Sequence, residues 1–144
     1  MLVTSVATAH PSAAKQRVAI TARATAHNSS EARFVLEPRG AGPLERDSGM
    51  ESSIIAGQRN VVRAGQSFTI VTWVTTCKGK RGSFVFRAHI SHDHVEGYSV
   101  GTGTWKVVRG TGAYARMTGG GRVANVSPPA RPWIEQRDGI LTLP

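Results

Sequence analysis

"VVRGTGAYARMTGGGR", residues 107–122, admits two incompatible readings, and the choice between them decides the fold. Gly110, Gly112 and Ala115 match the G-x-G-x-x-G/A spacing of a dinucleotide-binding turn that follows an apolar run. That motif requires a helix of about ten residues after its glycines, with the N-terminal amides facing the pyrophosphate. Here "AYARMT" provides about six residues before Gly119, Gly120 and Gly121, and each glycine costs roughly 1 kcal/mol inside a helix. The dinucleotide reading fails. Two β-strands joined through a glycine-containing turn account for the same letters.

The strand reading extends outward in both directions. "GTGTWKVV" (Gly101 to Val108) sets Trp105 and Val107 against Thr104, Lys106 and Val108, the period-two alternation of a strand. "RGTG" supplies glycines for positive φ in the turn. "AYARMTG" is expected to resume as strand, with Tyr114 over the corner, and "GGGRVANV" to form the last strand, entered through a glycine bend. Upstream, "QRVAITARATA" (Gln16 to Ala26) places Val18, Ile20, Ala22 and Ala24 on one face. "EARFVLEP" (Glu31 to Pro38) does the same with Ala32, Phe34 and Leu36, and "HNSS" makes the hairpin turn between them. Residues 38–49, rich in Gly and Pro, read as a loop of about a dozen residues, a candidate lid or rim. Short strands are expected around "MESSIIAGQ" and "RNVVRAG".

"QSFTIVTWVTTC" (Gln66 to Cys77) and "GSFVFRAHISHDHVEG" (Gly82 to Gly97) carry apolar groups on both faces. A strand covered twice fits a closed or nearly closed barrel with a filled or ligand-holding lumen and a partner subunit outside. Turns spaced about 10 to 15 residues apart, with glycine-rich corners, point the same way. The fold class expected is all-β, an antiparallel barrel.

The chain has 144 residues, which fits one domain able to bury roughly two thirds of its unfolded surface. Residues 16–144 are assigned to the barrel and residues 1–15 to a flexible leader. "LVTSVATA" has the small-residue tail of an export signal but lacks its basic and strongly apolar regions, so a cytoplasmic location is favoured over secretion. The single cysteine, Cys77, leaves no internal disulfide framework. No apolar run reaches the roughly 20 residues of a spanning helix, and no membrane partner is expected. The net charge of +9 invites a nucleic-acid reading, but 14 of the 18 cations are arginines scattered singly from Arg17 to Arg137, with "KGKR" (Lys78 to Arg81) the one run. A scatter of this kind does not build a phosphate-tracking stripe, so no nucleic-acid partner is expected.

Val107 to Gly121, "VVRGTGAYARMTGGG", with "GTGTW" before it, resembles the "GGTG, aromatic, small residues, G" hairpin of the allene oxide cyclase and dirigent superfamily, in its bacterial branch of small, in part polyketide-cyclising barrels. The resemblance covers about a quarter of the chain. It implies an eight-stranded antiparallel barrel, a homo-oligomer (dimer or trimer), and a lumen that takes a small hydrophobic molecule such as a polyene, phenolic or polyketide. No position matches the catalytic residues of the plant cyclases or the dirigent proteins, and none is carried over. "GTW" (Gly103 to Trp105) also satisfies the G-x-W of lipocalins and avidins, although there the motif lies near the first strand.

One polar constellation stands out, "HISHDHVEGY". On a strand His92, His94 and Glu96 share one face and His89, Ser91 and Asp93 the other. A cupin-like metal set would need another histidine later in the chain, and none follows His94. No metal and no cofactor are expected. The absence of a G-x-S-x-G elbow argues against hydrolase chemistry. The function expected is a cyclase or isomerase that folds a hydrophobic polyene or polyketide-type intermediate inside the lumen. The alternative is a non-catalytic carrier of such a ligand. The candidate catalytic groups are Tyr98, His89, His94 and Glu96, and the candidate substrate-binding residues are Trp73, Phe86, Trp105 and Tyr114.

Overall fold

The computed structural model describes residues 12–144. Eight strands follow one another as β1 (Ala14–Ala24), β2 (Glu31–Arg39), β3 (Asp47–Arg63), β4 (Gln66–Gly79), β5 (Ser83–Val95), β6 (Tyr98–Gly110), β7 (Thr118–Ser127) and β8 (Ile134–Leu143). Each pairs antiparallel with the next, and β1 pairs with β8 from Ala14 opposite Leu143 to Arg23 opposite Ile134, so the sheet closes into a ring. Closure removes the free edges that an open sheet would expose.

The alternation read from the sequence sets the inside. Val18, Ile20 and Ala22 of β1, Phe34 and Leu36 of β2, Phe84, Phe86, Ala88 and Ile90 of β5 and Trp105 of β6 are buried together. Their alternating neighbours Arg17, Thr21, Arg23, Arg33, Glu37, Arg87 and His89 are exposed.

Several boundaries differ from expectation. "MESSIIAGQ" and "RNVVRAG" are one strand of 17 residues, β3. Its register against β4 slips between Ile55 and Gly57, so the extra residue there bends the strand without ending it. The expected loop at 38–49 is confined to residues 40–46. β2 keeps Pro38, which lies beyond the last β2–β3 partners, Leu36 and Asp47, where its missing N–H is not needed on that side. "AYARMTG" does not resume as strand at Ala113: Gly112–Tyr114 form a single 3-10 turn, Gly112 takes φ +60°, and only Thr118 and Gly119 of that run belong to β7. The last strand is β8, not "GGGRVANV". Most of the expected leader lies outside the described residues, while Ala14 and Lys15 already belong to β1.

The glycines of the opening stretch have a packing role in place of a phosphate-binding one. Gly119 sits at φ +124°, and a Cβ on Gly121 would collide with the backbone carbonyl of Asp138 on β8.

One end of the ring is sealed. Tyr114 packs edge-on against Phe84, with ring centroids 5.0 Å apart, and its hydroxyl donates to Asp47 Oδ2 at 2.6 Å. Asp47 also accepts the backbone amides of Ser48, Lys80 and Arg81, which ties the start of β3 to the β4–β5 turn. Leu44 is buried over this end, its amide donating to Gln16 Oε1 at 2.8 Å. Burial by itself would raise the Asp47 carboxyl, but the hydrogen bonds from Tyr114 and the three amides outweigh it and hold it below the usual carboxylate range.

Tyr114→Phe is expected to cost about 1.5–3 kcal/mol, the worth of a hydrogen bond to a charged group. Because the folded-state value of Asp47 is depressed, its contribution is complete above the unfolded carboxyl pKa, about 4, and is lost as pH falls through the folded value. Urea unfolding of both proteins at pH 7 and pH 3 checks this. The gap between them should shrink at the lower pH.

Candidate functional site

The other end of the ring opens into a cavity of ≈ 470 Å3. Its walls are Trp73, Phe86, Ala88 and Ile90, and its mouth is bordered by the β1–β2 turn (Asn28, Ser29, Ser30), Ser99, Ser127 and Trp133. Trp133 is held there by its indole N–H, which donates to the Ser29 carbonyl at 2.9 Å. The Ser53 and Thr75 hydroxyls, 2.8 Å apart, add a neutral polar patch.

Deep in the lumen lies a buried charged cluster. The Arg137 guanidinium donates from Nη1 and Nη2 to the two oxygens of Glu51, at 2.8 and 2.7 Å, and from Nε to Glu135 Oε1 at 2.5 Å. Asn125 Nδ2 donates to the other Glu135 oxygen at 3.1 Å. The guanidinium carbon lies 4.3 Å from the centroid of the Phe86 ring, so the cation is also held on an aromatic face. Arg137 is 1% exposed and Glu51 2%, so this is interior charge in a low-dielectric setting. Burial alone would ease proton loss from Arg137, but the carboxylates of Glu135 and Glu51 outweigh it and push its pKa above the usual arginine value. Cys77 Sγ lies 3.5 Å from Glu51 Oε2. Burial, with Glu51 adding to it, raises the thiol well above its ordinary pKa, so Cys77 is a protonated donor and not a nucleophile.

Near the mouth, His92 Nδ1 lies 3.4 Å from Ser99 Oγ, while its buried Nε2 has no hydrogen-bond partner among the described residues. Burial first, and the neighbouring His94 second, lower its pKa, so the ring is neutral at pH 7.

The structure separates the residues singled out from the sequence. Trp73 and Phe86 line the cavity. Trp105 lies behind Phe86, at 5.8 Å between centroids and with its N–H on the Arg122 carbonyl, and does not line it. Tyr114 belongs to the sealed end. His89 points outward: its Nδ1 meets Thr72 Oγ1 at 2.9 Å, and it borders a groove on the outer surface with Arg59 and Arg63. His94, Glu96 and Tyr98 are exposed at the β5–β6 hairpin, where Glu96 takes φ +51°. The four catalytic candidates are therefore not brought together in the lumen. His92, their neighbour on the inward-facing register, lines it. Among the described residues no group of three His, Cys, Asp or Glu side chains has the geometry to hold a metal ion.

Arg137, Glu51, Glu135 and Asn125 were missed. The signal available was "IEQRDGIL", where Glu135, Arg137, Gly139 and Leu141 alternate with Ile134, Gln136, Asp138 and Ile140. The charged set faces in, and Ile134 and Ile140 face out. No protein-family model matches the chain, and no curated protein or solved structure matches it either.

Proposed function

We propose that the lumen binds a small, mainly hydrophobic molecule and promotes its intramolecular ring closure, as the resemblance to the allene oxide cyclase superfamily implies. The observation that carries this reading is a cavity of ligand size, sealed at one end by packed core and bearing a fixed charged cluster at its depth. Sites of this kind hold small molecules in an apolar shape with a few polar groups that set orientation. Confinement keeps a flexible chain folded with its reacting carbons near one another and excludes water, which contributes several kcal/mol to lowering a barrier. His92 supplies the proton transfer. It is neutral, it lines the cavity, and its Nε2 is free to accept or return a proton. Among the earlier candidates, His94 and Tyr98 stand at the rim, suited to ligand access. A homo-oligomer belongs to the same proposal, and Val100, Val126 and Ile134, adjacent across β6, β7 and β8, offer it an apolar strip.

A carrier without catalysis is the second reading. It is favoured by the way Arg137, Glu51 and Glu135 spend their charges on one another. The test is conversion of a linear polyene or polyketide intermediate to its cyclic product, with and without protein, read by mass spectrometry and product chirality. For the cyclase, His92→Leu should lower turnover by about 10²–10⁴-fold while leaving affinity nearly unchanged. Binding of such compounds with no effect on the rate or stereochemistry of the spontaneous reaction would leave the carrier.

A further inference from the structure

We infer that the ligand of this lumen carries a positively charged nitrogen, such as a protonated amine on a hydrophobic skeleton, and not a carboxylate. The inference rests on the lumen being a ligand site. It follows from the distribution of charge, which the fold has sorted by sign.

Of the 18 Lys and Arg side chains, 17 are exposed, and Arg137 alone is drawn inside. Against it stand two carboxylates, Glu51 and Glu135, both in direct contact with it. One guanidinium between two carboxylates leaves the cluster with a formal charge of −1. A ligand carboxylate would bring a second uncompensated negative charge into a site with little solvent, whereas a cation would neutralise the first.

Hydrogen-bond capacity agrees with the charge. An ionised carboxylate offers about four lone-pair sites. Each Glu135 oxygen accepts one bond, Oε1 from Arg137 and Oε2 from Asn125, so acceptor capacity remains on a side chain that lines the cavity. The feature that would favour an anion, the fork of Arg137, is already closed bidentately on Glu51, and Nε is taken by Glu135.

The aromatic lining agrees as well. Trp73 and Trp133 both border the cavity, and tryptophan is the strongest of the aromatic faces for a cation. The Phe86 face, by contrast, is occupied by Arg137. The residues bordering the mouth include no Lys or Arg.

The test compares three probes on one ring skeleton, titrated into the full chain by calorimetry at pH 7: naphthalen-2-ylmethanamine, the corresponding alcohol and the corresponding carboxylic acid. The expected result is an amine that binds at least about tenfold more tightly than the acid, with the alcohol between them. In Glu135→Gln the advantage of amine over acid should fall to about threefold or less. The wild-type series decides the matter even if that variant does not fold. If the acid binds as well as the amine, or better, the charge inference is overturned while the lumen reading stands. If none of the three binds, the lumen reading falls, and this inference with it.

Discussion

Arg137→Met is expected to destabilise the protein by about 3–5 kcal/mol, because it leaves two carboxylates in the interior with no cation between them. The geometry sets the expectation. Glu51 is 2% exposed and takes both guanidinium amino groups, so no movement of a surface side chain replaces them. Glu135 keeps only Asn125. For a domain of this size the loss corresponds to a fall of roughly 10–15 °C in Tm. Removing the whole cluster should behave differently. Arg137→Met combined with Glu51→Leu and Glu135→Leu has no buried charge left and should recover most of the loss, since apolar replacement of a buried ion cluster is often neutral or better. The comparison separates two roles. If the triple variant is as stable as the wild type but no longer distinguishes the amine from the acid, the cluster is there for recognition and adds nothing to stability. Urea unfolding midpoints of the wild type, the single variant and the triple variant are the measurement. A single-variant loss below about 1 kcal/mol would mean that water reaches the cluster freely.

Phe86→Ala carries the second large effect, about 3–5 kcal/mol. Phe86 is fully buried and lies at the boundary between packed core and open lumen. On the core side it touches Phe84 and Trp105, with centroids 6.5 and 5.8 Å away, and on the lumen side its face supports Arg137. Truncation removes packing from both and extends the cavity toward Trp105. Stability and selectivity should therefore move together: Tm falls, and a bulkier hydrophobic amine gains affinity relative to the naphthyl probe. Thermal unfolding with and without each amine checks both. A large fall in Tm with unchanged relative affinities would place Phe86 wholly in the core.

Where a strand is apolar inside and polar outside, its alternation is enough to find it. That is the case for β1 and β2, whose inward sets Val18/Ile20/Ala22 and Phe34/Leu36 are buried as their period-two spacing requires; β4 and β5 carry apolar groups on both faces, and the closed sheet decides that Phe84, Phe86, Ala88 and Ile90 point inward. Alternation is silent where that relation is reversed. In β8 the inward positions hold Glu135 and Arg137, and the outward ones hold Ile134 and Ile140, so the segment does not read as a half-buried strand. β3 has the same difficulty in Asp47 and Glu51, both facing inward and both buried. These reversed strands hold the four buried charged groups, Asp47, Glu51, Glu135 and Arg137. The inversion that hid them from the pattern is the same feature that puts charge in the interior.

The sequence by itself determined the all-β class, the failure of the dinucleotide motif at Gly119–Gly121, and the facing of β1, β2 and β6, because each depends on interactions within a few residues along the chain. Only the tertiary structure decided the closure of β1 on β8, the sealed end and the charged cluster. Glu51 and Arg137 are 86 residues apart and meet because ring closure carries β3 and β8 to opposite walls of one lumen. Asp47 and Tyr114, 67 apart, meet across the sealed end for the same reason. No local preference encodes such a pairing. It becomes favourable only once the sheet has closed and excluded the water that would otherwise solvate each charge separately.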